Sequence, residues 1–182
     1  MNMHGTQRIA APRARVFAAL NDAEILRRSI PGCEALEKIS DTDMNARVVV
    51  RVGPVKANFS GKVKLSDLDP PRDYRIQGEG SGGAAGFARG GARVRLEDDG
   101  TVATLLTYDV DAEIGGKIAQ LGGRMIDGAA KKLADEFFGN FSSIVGAPAN
   151  DAPAPPEPRK GWLARMASAI WARLRPIFRR AK

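Results

Sequence analysis

Residues 54–68 read PVKANFSGKVKLSDL, and this stretch decides the fold class. From Val55 to Leu65 an apolar or small residue stands at every second position, with lysine or another polar residue between. A period of two is the pattern of a β-strand with one buried face and one solvent-exposed face. The stretch therefore predicts a long strand in an antiparallel sheet that is covered on one side only.

Other parts of the chain repeat this alternation. Turn-forming residues separate the alternating segments, at 53–54, 69–71 and 98–100. Together the segments predict a curved antiparallel meander. Besides 54–68, the alternating segments are 45–52, 74–78, 92–97 and 102–112.

Two helical segments flank the predicted sheet, a short one at 12–28 and a long one at about 114–145. The long segment carries apolar residues at helical spacing, among them Leu133, Phe137 and Phe141. It also contains several glycines, each of which costs about 1 kcal/mol relative to alanine inside a helix. Two explanations of the glycines stay open. They allow close packing or an irregular start of the helix, or they leave room for a ligand between helix and sheet. The fold class is α+β, with a curved antiparallel sheet wrapped on a long C-terminal helix.

The charge of the chain is concentrated at one end. The net charge is +7, from 28 Lys and Arg against 21 Asp and Glu. Residues 159–182 hold eight of the cations and none of the acids, so residues 1–158 carry 20 − 21 = −1. The sequence thus predicts a domain at 1–145, a Pro-rich linker at 146–161 and a basic amphipathic helix at 162–182. As an extended chain, the linker would reach roughly 50 Å.

The segment 162–182 has an apolar half and a cationic half on a helical wheel, as helices that lie in a membrane interface do. Its cations interrupt any apolar run long enough to cross a bilayer. An anionic membrane surface is the expected partner, although docking on the body or on another protein stays open. Nucleic acid would leave the apolar half unused. The expected membrane-binding residues are Trp162, Leu163, Met166, Ile170, Trp171, Leu174, Ile177 and Phe178, with Arg165, Arg173, Arg175, Arg179 and Arg180.

Few residues in the chain could do covalent or metal chemistry. One histidine, His4, and one cysteine, Cys33, make neither a catalytic triad nor a two-histidine metal site. GEGSGG at 78–83 satisfies a dinucleotide-binding pattern, but an alternating strand follows it where that motif needs a helix. Asp109 and Asp111 fall on the wet face of their predicted strand. We therefore expect no enzyme activity and no covalently bound cofactor.

The first residues lack the apolar run of a signal peptide. With the basic segment at 162–182, this predicts a cytoplasmic protein that is peripheral on the inner face of the cell membrane.

The order of elements resembles the helix-grip arrangement of the START-like (SRPBCC) superfamily. More specifically, residues 3–145 resemble the CoxG family of carbon monoxide dehydrogenase proteins. The stretches that carry this resemblance are Ile30-Pro31-Gly32-Cys33, the Gly53-Pro54-Val55 turn leading to Phe59-Ser60-Gly61, the glycine-rich segment 78–96, and GGKIAQLGGRMIDGAAKKLADEFFGNF at 115–141.

The resemblance implies a protein that carries a respiratory quinone, of menaquinone or ubiquinone type, between membrane and enzyme. It also implies association with a molybdenum hydroxylase such as carbon monoxide dehydrogenase. A polyketide-cyclase-like enzyme and a purely structural membrane adaptor are the alternatives. The expected cavity residues are Val55, Phe59, Tyr74, Ile76, Phe87, Leu106 and Tyr108 on the sheet side, and Leu121, Gly122, Met125, Ile126 and Ala129 on the helix side.

Overall fold

The computed structural model of the protein describes residues 1–146. Seven strands and three α-helices follow one another in the order β1, α1, α2, β2 to β7, α3. The strands are β1 (Asn2–Ile9), β2 (Cys33–Lys38), β3 (Asp43–Val52), β4 (Val55–Asp69), β5 (Asp73–Ser81), β6 (Phe87–Asp99) and β7 (Ala103–Gly115). The helices are α1 (Arg13–Leu20), α2 (Ala23–Ser29) and α3 (Gly123–Val145), with short 3-10 turns at Gly83–Ala85 and Ala119–Leu121.

The strands form one curved antiparallel sheet in the order β1-β7-β6-β5-β4-β3-β2. Strands β2 to β7 make the predicted meander, while β1 returns to pair with β7 from Asn2 opposite Asp111 to Ile9 opposite Thr104. Along β4 the side chains alternate as expected, with Ala57 and Leu65 buried and the lysines exposed. The fold class predicted from the sequence is confirmed.

The outer face of the sheet is a solvated array of opposite charges. Lys62 lies opposite Glu79 and Glu79 opposite Arg89 in the strand register. Arg89 donates to Glu113 at 2.8 Å, and both side chains are exposed. Asp109 lies on this face, 2.6 Å from Nδ1 of His4, which agrees with its predicted place toward water. These pairs stabilise the sheet surface modestly and leave the inner face to the core.

The core lies between the inner face of the sheet and the helices. Ile9, Leu106 and Phe141 are fully buried in it. Within residues 1–146 two polar residues are buried: Thr104 donates to the carbonyl of Ala11 and Ser29 to that of Ile25, both at 2.7 Å. Their hydroxyls therefore do not oppose burial.

The segment predicted as one helix at 12–28 forms two. Helix α1 ends at Leu20, and Asp22 caps α2 by accepting the backbone N–H of Glu24 and of Ile25 at 2.9 Å. An aspartate in this position satisfies two of the free N–H groups of a helix start, so the chain begins again with a new axis.

The predicted helix start at 114 is wrong, because β7 continues to Gly115 and α3 begins at Gly123. Gly116 and Gly122 have φ angles of 84° and 86°, which other residues rarely adopt and which turn the chain between the two elements. Gly128 and Gly139 lie inside α3, yet a Cβ on either would meet nothing within 4 Å. Close packing therefore explains neither of these two.

Candidate ligand-binding cavity

A cavity of about 510 Å³ lies between the inner face of the sheet, the loop after α2 and the second half of α3. This is within the roughly 300–1,000 Å³ of typical small-molecule sites. Its lining is Met3, Leu20, Leu26, Ile30, Pro31, Leu36, Met44, Val48, Val50, Val63, Leu65, Tyr74, Ile76, Ala92, Val94, Leu106, Tyr108, Val110, Ala130, Leu133, Ala134, Phe137 and Phe138.

Regular periodicity builds both walls. Every second residue of the central strands points inward, so that Val63 and Leu65 of β4 stand beside Tyr74 and Ile76 of β5. On α3 the lining residues 130, 133, 134, 137 and 138 repeat at intervals of three and four, which places them on one stripe of the helix. The cavity is therefore bounded by a sheet face and a helix face that belong to separate parts of the sequence.

The Ile30-Pro31-Gly32-Cys33 motif holds one side of the cavity in place. Ile30 and Pro31 are part of the lining, and Gly32 has φ 72°. The N–H of Val49 donates to the carbonyl of Gly32 at 2.8 Å, and a Cβ on Gly32 would collide with the carbonyl oxygen of Val49. Only glycine allows this close approach, so the motif fixes the loop against β3.

Two tyrosines are the polar residues of the lining. Tyr74 is 2% exposed and packs edge-on against Phe17, while Tyr108 is half-buried and stacks on Phe138 with ring centroids 5.2 Å apart. The Tyr108 hydroxyl lies over Gly5, where any Cβ would collide with it. Among the described residues, no hydrogen bond engages either hydroxyl.

The electrostatics of the cavity favour an uncharged, apolar ligand. No carboxylate, amine, guanidinium or imidazole is among the described residues that line it. Burial raises the pKa of Tyr74 well above its ordinary value, and burial together with the nearby Asp135 carboxylate raises the pKa of Tyr108. Both phenols therefore keep their protons at neutral pH and are donors.

Four of the residues expected from the sequence line this cavity: Tyr74, Ile76, Leu106 and Tyr108. Five others, Val55, Phe59, Leu121, Ile126 and Ala129, belong to a second apolar cluster built on Val52, Ala57 and Ile118 near the start of α3. These five are not among the lining residues, but the cluster adjoins the cavity at Val50, which belongs to both.

The remaining three expected residues lie at the surface. Phe87 is 40% exposed, with the Arg89 guanidinium 5.9 Å from its ring centre. Met125 is 44% exposed and rests on Gly53, and Gly122 precedes α3 with open space where a Cβ would stand. The sequence placed the expected residues near the helix start because the glycines there suggested room for a ligand. In the structure Gly116 and Gly122 form turns.

Sequence reasoning left most of the lining out. The same alternation that places Tyr74 inward also places Val63 and Leu65 inward, and the apolar repeat of the helix continues through Leu133 and Phe137. Those two signals were sufficient for the strands and for the second half of α3. The contributions of Ile30 and Leu36 needed the tertiary structure, since their segments carry no clear period, whereas Met44, Val48 and Val50 follow the alternation of the segment 45–52.

The residues expected to bind a membrane, from Trp162 to Arg180, lie outside the described residues. Within residues 1–146, no helix combines the length and the apolar character needed to cross a membrane. In the same part of the chain, no three His, Cys, Asp or Glu side chains come together as metal ligands.

A curved antiparallel sheet that grips a long C-terminal helix around an apolar cavity defines a START-like protein. The chain matches the family model of CoxG, a subunit of carbon monoxide dehydrogenase, over residues 5–146. It belongs to the CoxG family.

Several solved structures share this fold. The chain is similar to a conserved protein from Geobacillus kaustophilus at 31% identity, with 80% of this chain and 95% of that one covered and a TM-score of 0.76. It shares the fold of a START superfamily protein from Mycobacterium smegmatis, at 15% identity, 79% and 96% coverage and a TM-score of 0.61. It also shares the fold of the Zhui aromatase/cyclase from Streptomyces sp. R1128, at 16% identity, 80% and 93% coverage and a TM-score of 0.58.

A comparison with curated proteins finds no match. The family and the fold together indicate a hydrophobic ligand-binding role linked to carbon monoxide dehydrogenase. One protein with this fold is an aromatase/cyclase, so the fold by itself does not exclude catalysis.

Proposed function

We propose that the protein is a non-enzymatic carrier of an isoprenoid quinone, of menaquinone or ubiquinone type. The observation that supports this most directly is the cavity of about 510 Å³ with an almost wholly apolar lining. An isoprenoid chain needs apolar volume and no specific polar partner, and such surface binds it by the hydrophobic effect.

The two tyrosine hydroxyls fit the ring of a quinone. Its carbonyl oxygens accept hydrogen bonds and carry no charge, and protonated phenols are suitable donors. Tyr74 lies deep in the site and Tyr108 in its more accessible part. A charged or strongly polar ligand would find no comparable partners among the described lining residues.

A polyketide-cyclase-like enzyme is the second candidate, since the Zhui aromatase/cyclase shares the fold. Such chemistry requires groups that transfer protons near neutral pH. The raised pKa of each lining tyrosine works against that use. The cavity supports holding a ligand better than transforming one.

We further propose that the carrier works with a molybdenum hydroxylase such as carbon monoxide dehydrogenase, the enzyme in the family's name. In this proposal the basic segment 162–182 binds the inner face of the cell membrane, and the body takes quinone from the bilayer and supplies it to the hydroxylase. A purely structural membrane adaptor would need that segment but not the apolar cavity.

Extraction of the purified full-length protein with organic solvent, followed by mass spectrometry, tests the carrier proposal. We expect an isoprenoid quinone at a ratio near one per chain when the protein is made in a host that contains quinones. A second arm adds a quinone to delipidated protein and measures its retention after gel filtration. Absence of quinone in the extract together with no retention would refute the carrier function and favour the adaptor.

A further inference from the structure

One end of the body, here called the hairpin end, is formed by the β3–β4 turn at 52–55, the connections at 82–86 and 116–122, and the first turns of α3. These segments contact one another: the N–H of Ile118 donates to the carbonyl of Ala85 at 3.0 Å, and Met125 rests on Gly53. The second apolar cluster fills the interior of this end.

The surface of the hairpin end carries unpaired positive charge. Arg51, Lys56, Lys117 and Arg124 are all exposed, and none of the ion pairs within residues 1–146 includes them. The exposed Asp127 in the first turns of α3 is outside these ion pairs as well, so four cations stand against one acid. Arg51 and Lys56 are directly opposite each other in the strand register. Like charges in this position destabilise a sheet, and an external anion would offset that cost.

The opposite end of the body is rich in acids, most of which are paired with cations. Eight acids surround its turns, and six of them form ion pairs, with Arg8, Arg13, Lys38, Arg72, Arg75 and Arg93. The acids are Asp41, Asp43, Asp67, Asp69, Asp73, Glu97, Asp98 and Asp99. The near-neutral body is thus charged unequally along its length, with a group of unpaired cations at the hairpin end.

An exposed apolar side chain accompanies those cations. Met125 is 44% exposed, and the half-buried Val55 and Leu121 are neighbours in the underlying cluster. Cations around a small apolar centre match the two layers of an anionic bilayer surface, phosphate outside and hydrocarbon beneath. An acidic protein surface would match the cations but not the exposed methionine.

We propose that the hairpin end is the face that the body itself presents to an anionic membrane, in addition to the segment 162–182. This inference rests on the membrane-linked carrier function proposed above and specifies the orientation of the carrier. It places the second apolar cluster, which stands between the start of α3 and the β3–β4 turn, nearest the lipid.

Fluorescent probes at the two ends test the orientation in the full chain. Cys33 is first replaced by serine, and a single cysteine is then introduced as Met125→Cys or Asp41→Cys and labelled with a polarity-sensitive dye. The Asp41 side chain is fully exposed, which makes it a matched control at the acidic end. Vesicles of phosphatidylcholine, with or without phosphatidylserine, carry a spin-labelled lipid as quencher.

We expect quenching at position 125 with phosphatidylserine vesicles and none at position 41. The double change Arg51→Glu with Lys56→Glu should reduce the quenched fraction about tenfold or more, since each cation near the surface adds to the attraction. The same charge change on the outer face of β4, Lys62→Glu with Lys64→Glu, should leave it nearly unchanged. Lys56→Cys is a second labelling site if the dye at 125 disturbs the fold.

Four results would contradict the inference. Equal quenching at both ends, or sedimentation of the protein with vesicles without quenching at 125, refutes the orientation and leaves the carrier function standing. Protection of the 125 probe by carbon monoxide dehydrogenase but not by lipid assigns the hairpin end to a protein partner. No sedimentation with vesicles at all removes the membrane part of the proposed function as well.

Discussion

Filling the cavity gives the sharpest test of its existence and of its role. Ala134 lies on the cavity-facing stripe of α3, and Ala134→Phe would place a phenyl ring inside a space of about 510 Å³. A cavity of about 150 Å³ accepts a benzene molecule, so the ring fits and leaves 510 − 150, or roughly 360 Å³. The variant should therefore fold without forcing its neighbours apart.

Ala134→Phe should raise the free energy of unfolding and lower the affinity for quinone. Filled volume is worth about 24 cal/mol per Å³, or up to roughly 3.6 kcal/mol for a benzene-sized ring. Loss of helix propensity subtracts about 0.5 kcal/mol, and imperfect packing takes more, so we expect a gain of about 1–3 kcal/mol in the free energy of unfolding. For a domain of this size that is a rise of roughly 2–10 °C in Tm. Quinone affinity should fall about tenfold or more.

Calorimetry of the ligand-free protein measures the first quantity, and titration with a short-chain quinone measures the second. Lys131→Phe is the control, because Lys131 is exposed on the same helix and outside the cavity lining, and it should leave quinone affinity unchanged. A lower Tm for Ala134→Phe with normal quinone binding would show that the space is closed in solution and that the ligand binds elsewhere.

Three further outcomes are expected. Tyr74→Phe and Tyr108→Phe should each weaken quinone binding roughly two- to tenfold, because one hydrogen bond is lost. A hydrocarbon probe of similar size should bind as before. Equal losses of affinity for both ligands would exclude a role of the hydroxyl as donor. Truncation after Gly146 should greatly reduce sedimentation with anionic vesicles, to the weaker binding of the hairpin end, but keep one cooperative thermal transition. Undiminished sedimentation would refute membrane binding by 162–182. Gly128→Ala should raise the free energy of unfolding by about 1 kcal/mol in chemical denaturation, since the added Cβ meets nothing within 4 Å. A loss of stability would mean that the glycine has a local role which the geometry does not show.

The strands of this fold could be predicted from the sequence because period-two alternation is a local property. Val63 and Leu65 face inward for the same reason that Lys62 and Lys64 face outward, and no tertiary information is needed to separate them. The helix start could not be predicted in this way. Ile118 and Leu121 continue the helical spacing of α3, but the chain there turns at Gly116 and Gly122.

The sequence predicts the apolar character of the candidate site better than its position along α3. The alternation put Tyr74, Ile76, Leu106 and Tyr108 on the inner face, where the structure has them around the cavity. How far along the helix the empty space lies depends on which side chains fill the gap between helix and sheet. Phe59 and Ile126 help to fill it near the start of α3, and that packing is set by three-dimensional distances that periodicity does not contain.

The pairing of β1 with β7 has a consequence for synthesis of the protein. Asn2 and its partner Asp111 are separated by 109 positions, so β1 leaves the ribosome long before the strand it needs exists. At about 5–20 residues per second, the delay is roughly 5–20 s. During that time the inner face of the growing sheet lacks both its last strand and α3, and its apolar residues are open to chaperones. Loading with an apolar ligand must therefore follow completion of the domain, since β1, β7 and α3 all contribute walls to the cavity.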